Sequence, residues 1–316
     1  GHGAGYGAGL AGATGGSALA PVPDDGAAAV PMVVVVSAMR GVTDALLDLA
    51  RRAARGDDAG ARRQIQQLLQ RHVEAVQALT TTVPTIAGTS DDPAVALGDA
   101  VDAAFAELTR LVDGLAALRD LPAALVDAVL ARGERLSARL VVAALRALGV
   151  PAEYVDACEV IQTDGRAGER VGGRTGDAFP DLARTAAAAR RVLAPRLARG
   201  IVPVLPGFLG AAPPRPGSAD AADDGEPAPP PVVTLGRGGS DLTATTLARV
   251  LGAREVSLWK DVPGLLTADP RVVPDARVIP ALHAREASEL AYHGAKVLHP
   301  RALVPLLAPG VPGSPG

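Results

Sequence analysis

Short apolar runs alternate along the chain with longer segments of helical periodicity. Residues 32–36 are a methionine followed by four valines, without polar alternation, which is typical of a strand buried on both faces of a parallel sheet. Further strands are predicted at 153–157, 201–205, 232–235 and 255–259.

The helical segments lie between these strands. A helix is predicted over about 44–54, with Thr43 as its N-cap because a threonine hydroxyl can accept from a free N–H of the first turn. Further helices are predicted as two or three over 61–120, interrupted by a loop at 84–93, and then at 122–148, 181–198, 241–251 and 285–297. Strands and helices in this order indicate an α/β fold, with a parallel or mixed sheet covered on both faces.

Three segments are too rich in small residues and proline for a packed core. Residues 211–231 predict a disordered loop between two strands. Residues 1–31 are a low-complexity Gly/Ala/Pro segment, and residues 308–316 are a short tail. One domain is therefore expected over 32–307. The chain opens on glycine, which indicates a fragment.

Composition and charge exclude several classes of protein. The formal net charge of −3 provides no overall basic field for nucleic acid or an anionic membrane, and we expect neither partner. The single cysteine, Cys158, excludes a disulfide framework, and the five histidines lack metal-ligand spacing. We therefore expect no structural metal ion. Cys158 and Trp259 are expected in the core. The lone histidines His283, His293 and His299 are expected as local caps or packing residues.

Only two of the 31 basic residues are lysines, Lys260 and Lys296. In so arginine-rich a chain, they are candidates for positions that require a compact ammonium group. The alternative is that these two lysines have remained by chance and have no special role.

The predicted strand at 232–235 leads into the sequence Gly-Arg-Gly-Gly-Ser-Asp at 236–241 and then into a helix. Free N–H groups and the positive end of the helix dipole make such a turn a cradle for anions. The alternative is a plain tight turn, with Ser240 as N-cap and Asp241 as an acid that complements the dipole. Asp241 beside a phosphate group would require a cation between them.

Polar residues cluster again after the predicted strand at 255–259. Lys260 and Asp261 follow it directly, and Arg271 comes after an Asp-Pro pair. Ligands of open α/β sheets bind beyond the carboxyl ends of strands, so these residues predict a phosphate and metal site. The alternative is an ordinary polar loop.

Glu134 lies within the predicted helix 122–148 without a basic partner three or four positions away. It is therefore expected to point into a site lined by small residues, where its carboxylate could accept a substrate ammonium group. A solvated surface glutamate is the alternative.

Six segments of the sequence resemble the motifs of a known protein family. They are VVVVSAMRGVTD, ARGERLSARL, VPVLPGFLG, TLGRGGSDLTATTLARVLGA, LWKDVPGLLTADPRVVP and ELAYHGAKVLHP, in this order over roughly 32–307. They resemble the catalytic domain of aspartate kinases of the amino acid kinase superfamily, in particular the monofunctional plant-type enzymes. The resemblance implies a three-layer αβα sandwich with a mostly parallel central sheet. It also implies transfer of a phosphoryl group from ATP, with Mg²⁺, to the side-chain carboxylate of L-aspartate, a step of lysine, threonine and methionine biosynthesis.

The resemblance also implies roles for individual residues. Asp241 and Arg237 would be catalytic. Aspartate would be held by Thr43, Glu134, Phe208, Arg237 and Ser240, with Ser37 bordering the phosphate site. The nucleotide would be surrounded by Gly238, Gly239, Lys260, Asp261, Arg271 and Lys296. A homodimer is implied for the full-length protein. The implied location is the plastid stroma if the source is a plant or alga, and otherwise the cytoplasm.

The chain also departs from the family pattern. Relatives begin with a strand that ends in a Lys-Phe-Gly-Gly-Thr-Ser loop, and residues 1–31 contain neither this loop nor a lysine. Leu266 stands where many relatives carry tyrosine. We therefore expect a catalytic domain without its first strand and without the regulatory domains. Two alternatives stay open, namely another amino acid acceptor such as glutamate or acetylglutamate, and an inert binding subunit.

Overall fold

The computed structural model describes residues 30–82, 93–164, 178–213, 230–262, 264–269, 271–292 and 297–307. The chain divides into two units, Gly1–Val30 and Pro31–Gly316, and all the elements below belong to the second. Of the segments predicted as low-complexity, loop or tail, residues 1–29, 84–92, 214–229 and 308–316 fall outside the described residues. Ala211, predicted as the first residue of the disordered loop 211–231, instead ends a strand.

Three parallel strands form the central sheet. These are β1 (Val34–Val36), β2 (Ala152–Tyr154) and β3 (Val202–Pro206), in the order β1-β3-β2, with Val35 opposite Leu205. Two further strands, β4 (Leu209–Ala211) and β5 (Val232–Thr234), pair antiparallel.

Ten helices lie within the described residues. They are α1 (Val42–Arg55), α2 (Asp58–Thr82), α3 (Pro93–Leu118), α4 (Ala123–Ala147), α5 (Ala157–Val160), α6 (Leu182–Val192), α7 (Ala194–Ala198), α8 (Gly239–Leu251), α9 (Ala284–Tyr292) and α10 (Pro300–Leu307).

The parallel sheet is covered on both faces, because successive residues of a strand point to opposite sides. Val34 and Val36 pack against Ala138 and Val142 of α4. Val35 belongs to a second cluster on the other face, which includes residues of α6 and α8. The α/β fold with three layers, helix over sheet over helix, is therefore confirmed.

Helices α1 to α4 share an apolar core of their own behind the sheet, centred on residues such as Leu46, Leu108 and Leu115. A side chain at Gly133 would place its Cβ 2.9 Å from Cγ1 of Val42. The absence of that Cβ lets α4 approach α1, and this contact brings the middle of α4 close to the loop that follows β1.

Several strand and helix predictions are wrong in detail. Residues 255–259 form neither strand nor helix, and the Trp259 side chain is 94% exposed, so its prediction as a core residue is wrong. Their sequence pattern alternates as a strand does, but no sheet neighbour satisfies their backbone among the described residues. The predicted strand 153–157 ends early at Tyr154, because Asp156 caps the short helix α5 by accepting from the Cys158 N–H.

Other boundaries shift for local reasons. The helix predicted over 181–198 divides at Leu193 into α6 and α7, just before Pro195, since proline lacks the N–H that would continue the helix. Strand β4 and helix α10 have no counterpart among the predicted elements. Helix α9 ends at Tyr292; of the rest of its predicted range, 293–296 lie outside the described residues and Val297 is in a turn.

The predictions for three isolated polar residues are confirmed. Cys158 is buried, as expected. His283 and His299 each accept a backbone N–H two positions ahead, which confirms them as local caps. His293 is outside the described residues. No helix in the described part of the chain is long and apolar enough to cross a membrane.

Candidate functional site

The loops that carry the predicted site residues leave one edge of the parallel sheet. Strands β1 and β3 are parallel neighbours, so their carboxyl ends lie side by side. The Gly207 N–H donates to the Val36 carbonyl oxygen at 2.7 Å, which joins the loop after β3 to the end of β1. Such an edge is where α/β sheets bind ligands.

Glu134 is buried at this edge, with 3% of its surface exposed, so the solvated alternative is excluded. Its Oε2 accepts from the Ala38 N–H at 2.6 Å, and its Oε1 accepts from the Thr43 hydroxyl at 3.3 Å. Burial raises the pKa of the carboxyl group to about 7, although both hydrogen bonds act in the opposite direction. The group therefore titrates near neutral pH.

Thr43 does not cap α1, contrary to the prediction. Gly41, at φ 76°, is the N-cap and α1 starts at Val42, because glycine adopts this left-handed conformation without steric cost. The Thr43 side chain is thereby directed at Glu134 from the first helical turn. Ser37 is exposed at the start of the same loop.

The loop after β3 packs closely against the start of α8. A Cβ on Gly207 would lie 2.6 Å from the Ser240 Cβ, and one on Gly239 would lie 2.6 Å from Cδ2 of Phe208. Phe208 has a positive φ of 69°, and its N–H donates to the Thr243 hydroxyl at 3.2 Å. Phe208 and Ser240 are therefore brought together, and glycine is required at both points of contact.

Residues 236–239, here called the glycine turn, connect β5 to α8. Gly236 and Gly238 have φ values of 74° and 69°. The N-cap is Gly238, without a side-chain hydrogen bond, so Ser240 does not cap the helix as the alternative required. Arg237 projects from the turn and is exposed. Its charge helps to lower the pKa of His299, after burial and Arg301.

Asp241, in the first turn of α8, forms an ion pair with Lys260. The Lys260 Nζ lies 2.6 Å from Oδ1 and 2.7 Å from Oδ2 of Asp241, and the two side chains are 29% and 12% exposed. One of the two lysines thus lies beside Asp241, where the sequence predicts that a phosphate site would need a cation. Lys296, the other, is outside the described residues.

Arg40 is a residue that the sequence analysis did not identify. Its Nη2 lies 2.7 Å from Oδ2 of Asp261, across the mouth of the site, with the side chains 82% and 73% exposed. The pair links the loop after β1 to the loop that carries Lys260. The position of Arg40 inside the string VVVVSAMRGVTD was the available signal.

Arg271 does not join this group in the structure. It forms a local pair with Asp269, in which Nη2 and Oδ2 are 2.7 Å apart. Its contacts are those of the polar Asp-Pro turn that was the alternative.

Two polar residues next to the site, the buried Asp127 and the half-buried Arg301, were also missed. Asp127 accepts a hydrogen bond from the Thr234 hydroxyl at 2.7 Å, just before the glycine turn. Arg301 of α10 donates from Nη1 to the Leu235 carbonyl oxygen at 2.9 Å. The spacing of seven residues between Asp127 and Glu134 was a signal that the two share a helix face.

The described residues contain no group of three or more His, Cys, Asp or Glu side chains placed to hold a metal ion. The carboxylates of Asp241 and Asp261 near the site are each paired with a basic side chain. A divalent cation here would take most of its ligands from phosphate oxygens and water, which is the usual arrangement for Mg²⁺ bound with a nucleotide.

Residues 15–312 match the model of the amino acid kinase family. The chain therefore belongs to the amino acid kinase family. Within it, the chain is similar to aspartokinases. It is 38% identical over 211 residues to lysine-sensitive aspartokinase 3 of Escherichia coli (strain K12), covering 65% of this chain and 42% of that protein. It is 35% identical over 277 residues to the chloroplastic aspartokinase 1 of Arabidopsis thaliana, covering 86% and 42%.

The solved structures agree with these relatives. Escherichia coli aspartokinase III in complex with aspartate and ADP superposes with a TM-score of 0.66 at 32% identity, covering 87% of this chain and 53% of that one. The same enzyme with lysine and aspartate gives a TM-score of 0.67. The chain thus spans about half the length of the relatives it matches, or less.

Proposed function

We propose that the chain is the catalytic domain of an aspartate kinase, which transfers the γ-phosphoryl group of ATP to the side-chain carboxylate of L-aspartate. The product is 4-phospho-L-aspartate. The relatives named aspartokinases, and the solved relative with bound aspartate and ADP, support this proposal.

The observation that carries the proposal is the Glu134 carboxylate at the edge of the sheet. It is buried, it is paired with no basic side chain among the described residues, and it is oriented by donors from the loop after β1 and from the first turn of α1. A buried carboxylate without a cation is costly, and a substrate ammonium group would remove that cost. An α-amino acid brings such a group, whereas a simple carboxylic acid does not.

The reaction needs no general base. The side-chain carboxylate of aspartate, with an ordinary pKa near 3.9, is already an anionic nucleophile at neutral pH. Catalysis then depends on positioning and on stabilising the charge of the phosphoryl group during transfer.

We assign the two sides of the site different roles. Glu134, oriented by Thr43, would accept the ammonium group of aspartate, and Arg237 would bind a carboxylate through its planar fork. Ser240 and Phe208, packed together at the start of α8, would complete the aspartate site, with Ser37 near the phosphate.

On the other side, Asp241 and Lys260 would organise the charges around the transferred phosphoryl group. The nucleotide would also contact Gly238, Gly239, Asp261, Arg271 and Lys296. Mg²⁺ would neutralise charge on the phosphate oxygens. The proposal includes a homodimer for the full-length protein and, for a plant or algal source, the plastid, in line with the chloroplastic relative.

The proposal is tested by formation of an acyl hydroxamate from hydroxylamine, ATP and an amino acid. We expect product with L-aspartate at a rate at least tenfold above that with L-glutamate or N-acetyl-L-glutamate. Calorimetric titration with L-aspartate, in the presence and absence of ADP, measures substrate binding independently of product formation. A preference for glutamate would favour another acceptor of the family, and binding without any product would favour an inert subunit.

A further inference from the structure

Asp127 is a buried carboxylate on α4 that the proposed reaction does not use. Its side chain accepts from the Thr234 hydroxyl at 2.7 Å, and the backbone N–H of Thr234 also bonds to the carboxylate. Asp127 is 5% exposed and Thr234 is 2% exposed. A carboxylate loses its hydration on burial, so these two donors are what compensates it.

Asp127 and Glu134 lie seven residues apart on α4. Two turns of an α-helix contain 7.2 residues, so both carboxylates lie on one face of the helix. Glu134 accepts from the loop after β1, and Asp127 accepts from the last residue of β5. One helix therefore holds two of the segments that form the candidate site.

The contact at Thr234 lies two residues before the glycine turn. Between them, Leu235 donates its N–H to the Phe208 carbonyl oxygen at 2.8 Å and accepts from Arg301 at 2.9 Å. The entry to the turn is thus held by α4, by the loop after β3 and by α10. Glycines restrict the backbone less than other residues, so the path of the turn depends on these fixed points.

We propose that Asp127, acting through Thr234, is a positioning residue that sets the place of the glycine turn and hence of Arg237 and Asp241. The inference rests on the proposed phosphorylation of aspartate. Displacement of reacting groups by about 1 Å can cost about 100-fold in rate, so a loosened entry to the turn should be visible in turnover.

The test compares two buried threonines that each lose a hydroxyl group. Thr234→Val removes the donor to Asp127 and keeps the shape of the side chain. Thr185→Val is the matched control, since the fully buried Thr185 hydroxyl accepts from the Gln162 N–H at 3.1 Å and donates to the Gln162 carbonyl oxygen at 3.2 Å, away from the glycine turn. Both variants are expected to lose stability.

We expect Thr234→Val alone to lower kcat by about tenfold or more, at a temperature where both variants are folded. We also expect it to speed amide hydrogen exchange across residues 236–241. The KM for ATP should change less than twofold. Thr234→Ser, which keeps the hydroxyl, should return kcat to within twofold of the parent.

An unchanged kcat together with unchanged exchange across the turn would overturn the inference. If the parent forms no aspartyl phosphate, the proposed function fails, while the exchange measurement still decides the role of Asp127. If Thr234→Val does not fold, Asp127→Asn, which keeps one acceptor oxygen, takes its place. Failure of both to fold, with Thr185→Val folded, would assign the pair to stability alone and contradict a positioning role.

Discussion

The two sides of the candidate site are built differently. The side around Glu134 rests on α4 and β1, with a buried carboxylate and a helix contact tight enough to require Gly133. The side around Lys260 belongs to residues 255–262, which form neither helix nor strand, and its Asp261 is mostly exposed. Packing thus fixes the proposed aspartate side, whereas ion pairs hold the proposed nucleotide side. The exposed pair of Arg40 with Asp261 contributes little stability, so we expect the nucleotide itself to order that part of the site.

The largest effect is expected from Asp241→Asn, where the two sides meet. If Asp241 organises charge around the phosphoryl group, turnover should fall about 100-fold while the KM for aspartate changes little, because Arg237 and Glu134 would still bind it. Steady-state kinetics with the hydroxamate assay measures both constants.

Asp58→Asn is the matched control for Asp241→Asn, because Asp58 is an exposed first-turn acid of α2. It should leave turnover unchanged. An Asp241→Asn enzyme that keeps more than a third of the parent turnover would show that Asp241 is only a complement to the helix dipole, in contradiction to the assignment.

Arg237→Lys should have the next largest effect, on the aspartate side. The substitution keeps the positive charge but loses the planar fork, so the KM for aspartate should rise about tenfold with a small change in kcat. Arg249→Lys, in the last turn of α8, is the comparison for a general effect on this helix. Equal KM values for the two variants would remove Arg237 from the aspartate site.

Burial of Glu134 predicts a pH dependence of stability. Its pKa is about 7 in the folded protein against 4.5 in the unfolded chain, so the folded state holds the proton more tightly. The resulting stabilisation is complete below pH 4.5 and is lost as the pH rises through 7. Asp127, with its pKa raised to about 6 by burial, acts in the same direction at lower pH.

Glu134→Gln isolates this contribution. Between pH 5 and pH 8, the parent should lose on the order of 2 kcal/mol of unfolding free energy that the variant keeps. Urea denaturation at both pH values measures the difference, and the same variant should lose calorimetric binding of aspartate. Parallel pH profiles for parent and variant would mean that Glu134 is solvated in solution.

The smallest effect is expected from Arg40→Ala on the nucleotide side. The pair with Asp261 is exposed, so the melting temperature should stay within about 1 °C of the parent. The KM for ATP should change by no more than about threefold, and less at 0.5 M salt than at 0.05 M, because salt screens exposed charges. A large loss of stability would show that this pair is a fixed part of the fold.

Patterns within a single segment predicted much of the fold. The parallel strands, the long helix α4 and the burial of Glu134 follow from local periodicity and from the absence of a basic neighbour. The position of β4, only three residues long, does not, since so short a strand is defined by its partner and not by its own sequence.

The contacts that complete the site join distant parts of the chain. Arg40 and Asp261 are 221 positions apart, and Asp127 and Thr234 are 107 apart. No local pattern encodes such pairs. Trp259 shows the opposite failure, because its residue type indicated a core position while the residue is exposed in the structure.

The lone cysteine has a practical consequence for studying the protein. Cys158 is buried, its Sγ lies 3.4 Å from the Gly210 carbonyl oxygen, and burial raises the pKa of the thiol to about 12. Thiol reagents attack the thiolate, which is scarce at neutral pH under these conditions. The native chain should therefore be nearly silent towards maleimides. The variant Ser37→Cys, at an exposed position, would be labelled selectively. A fluorophore there could report on the site while Cys158 is kept.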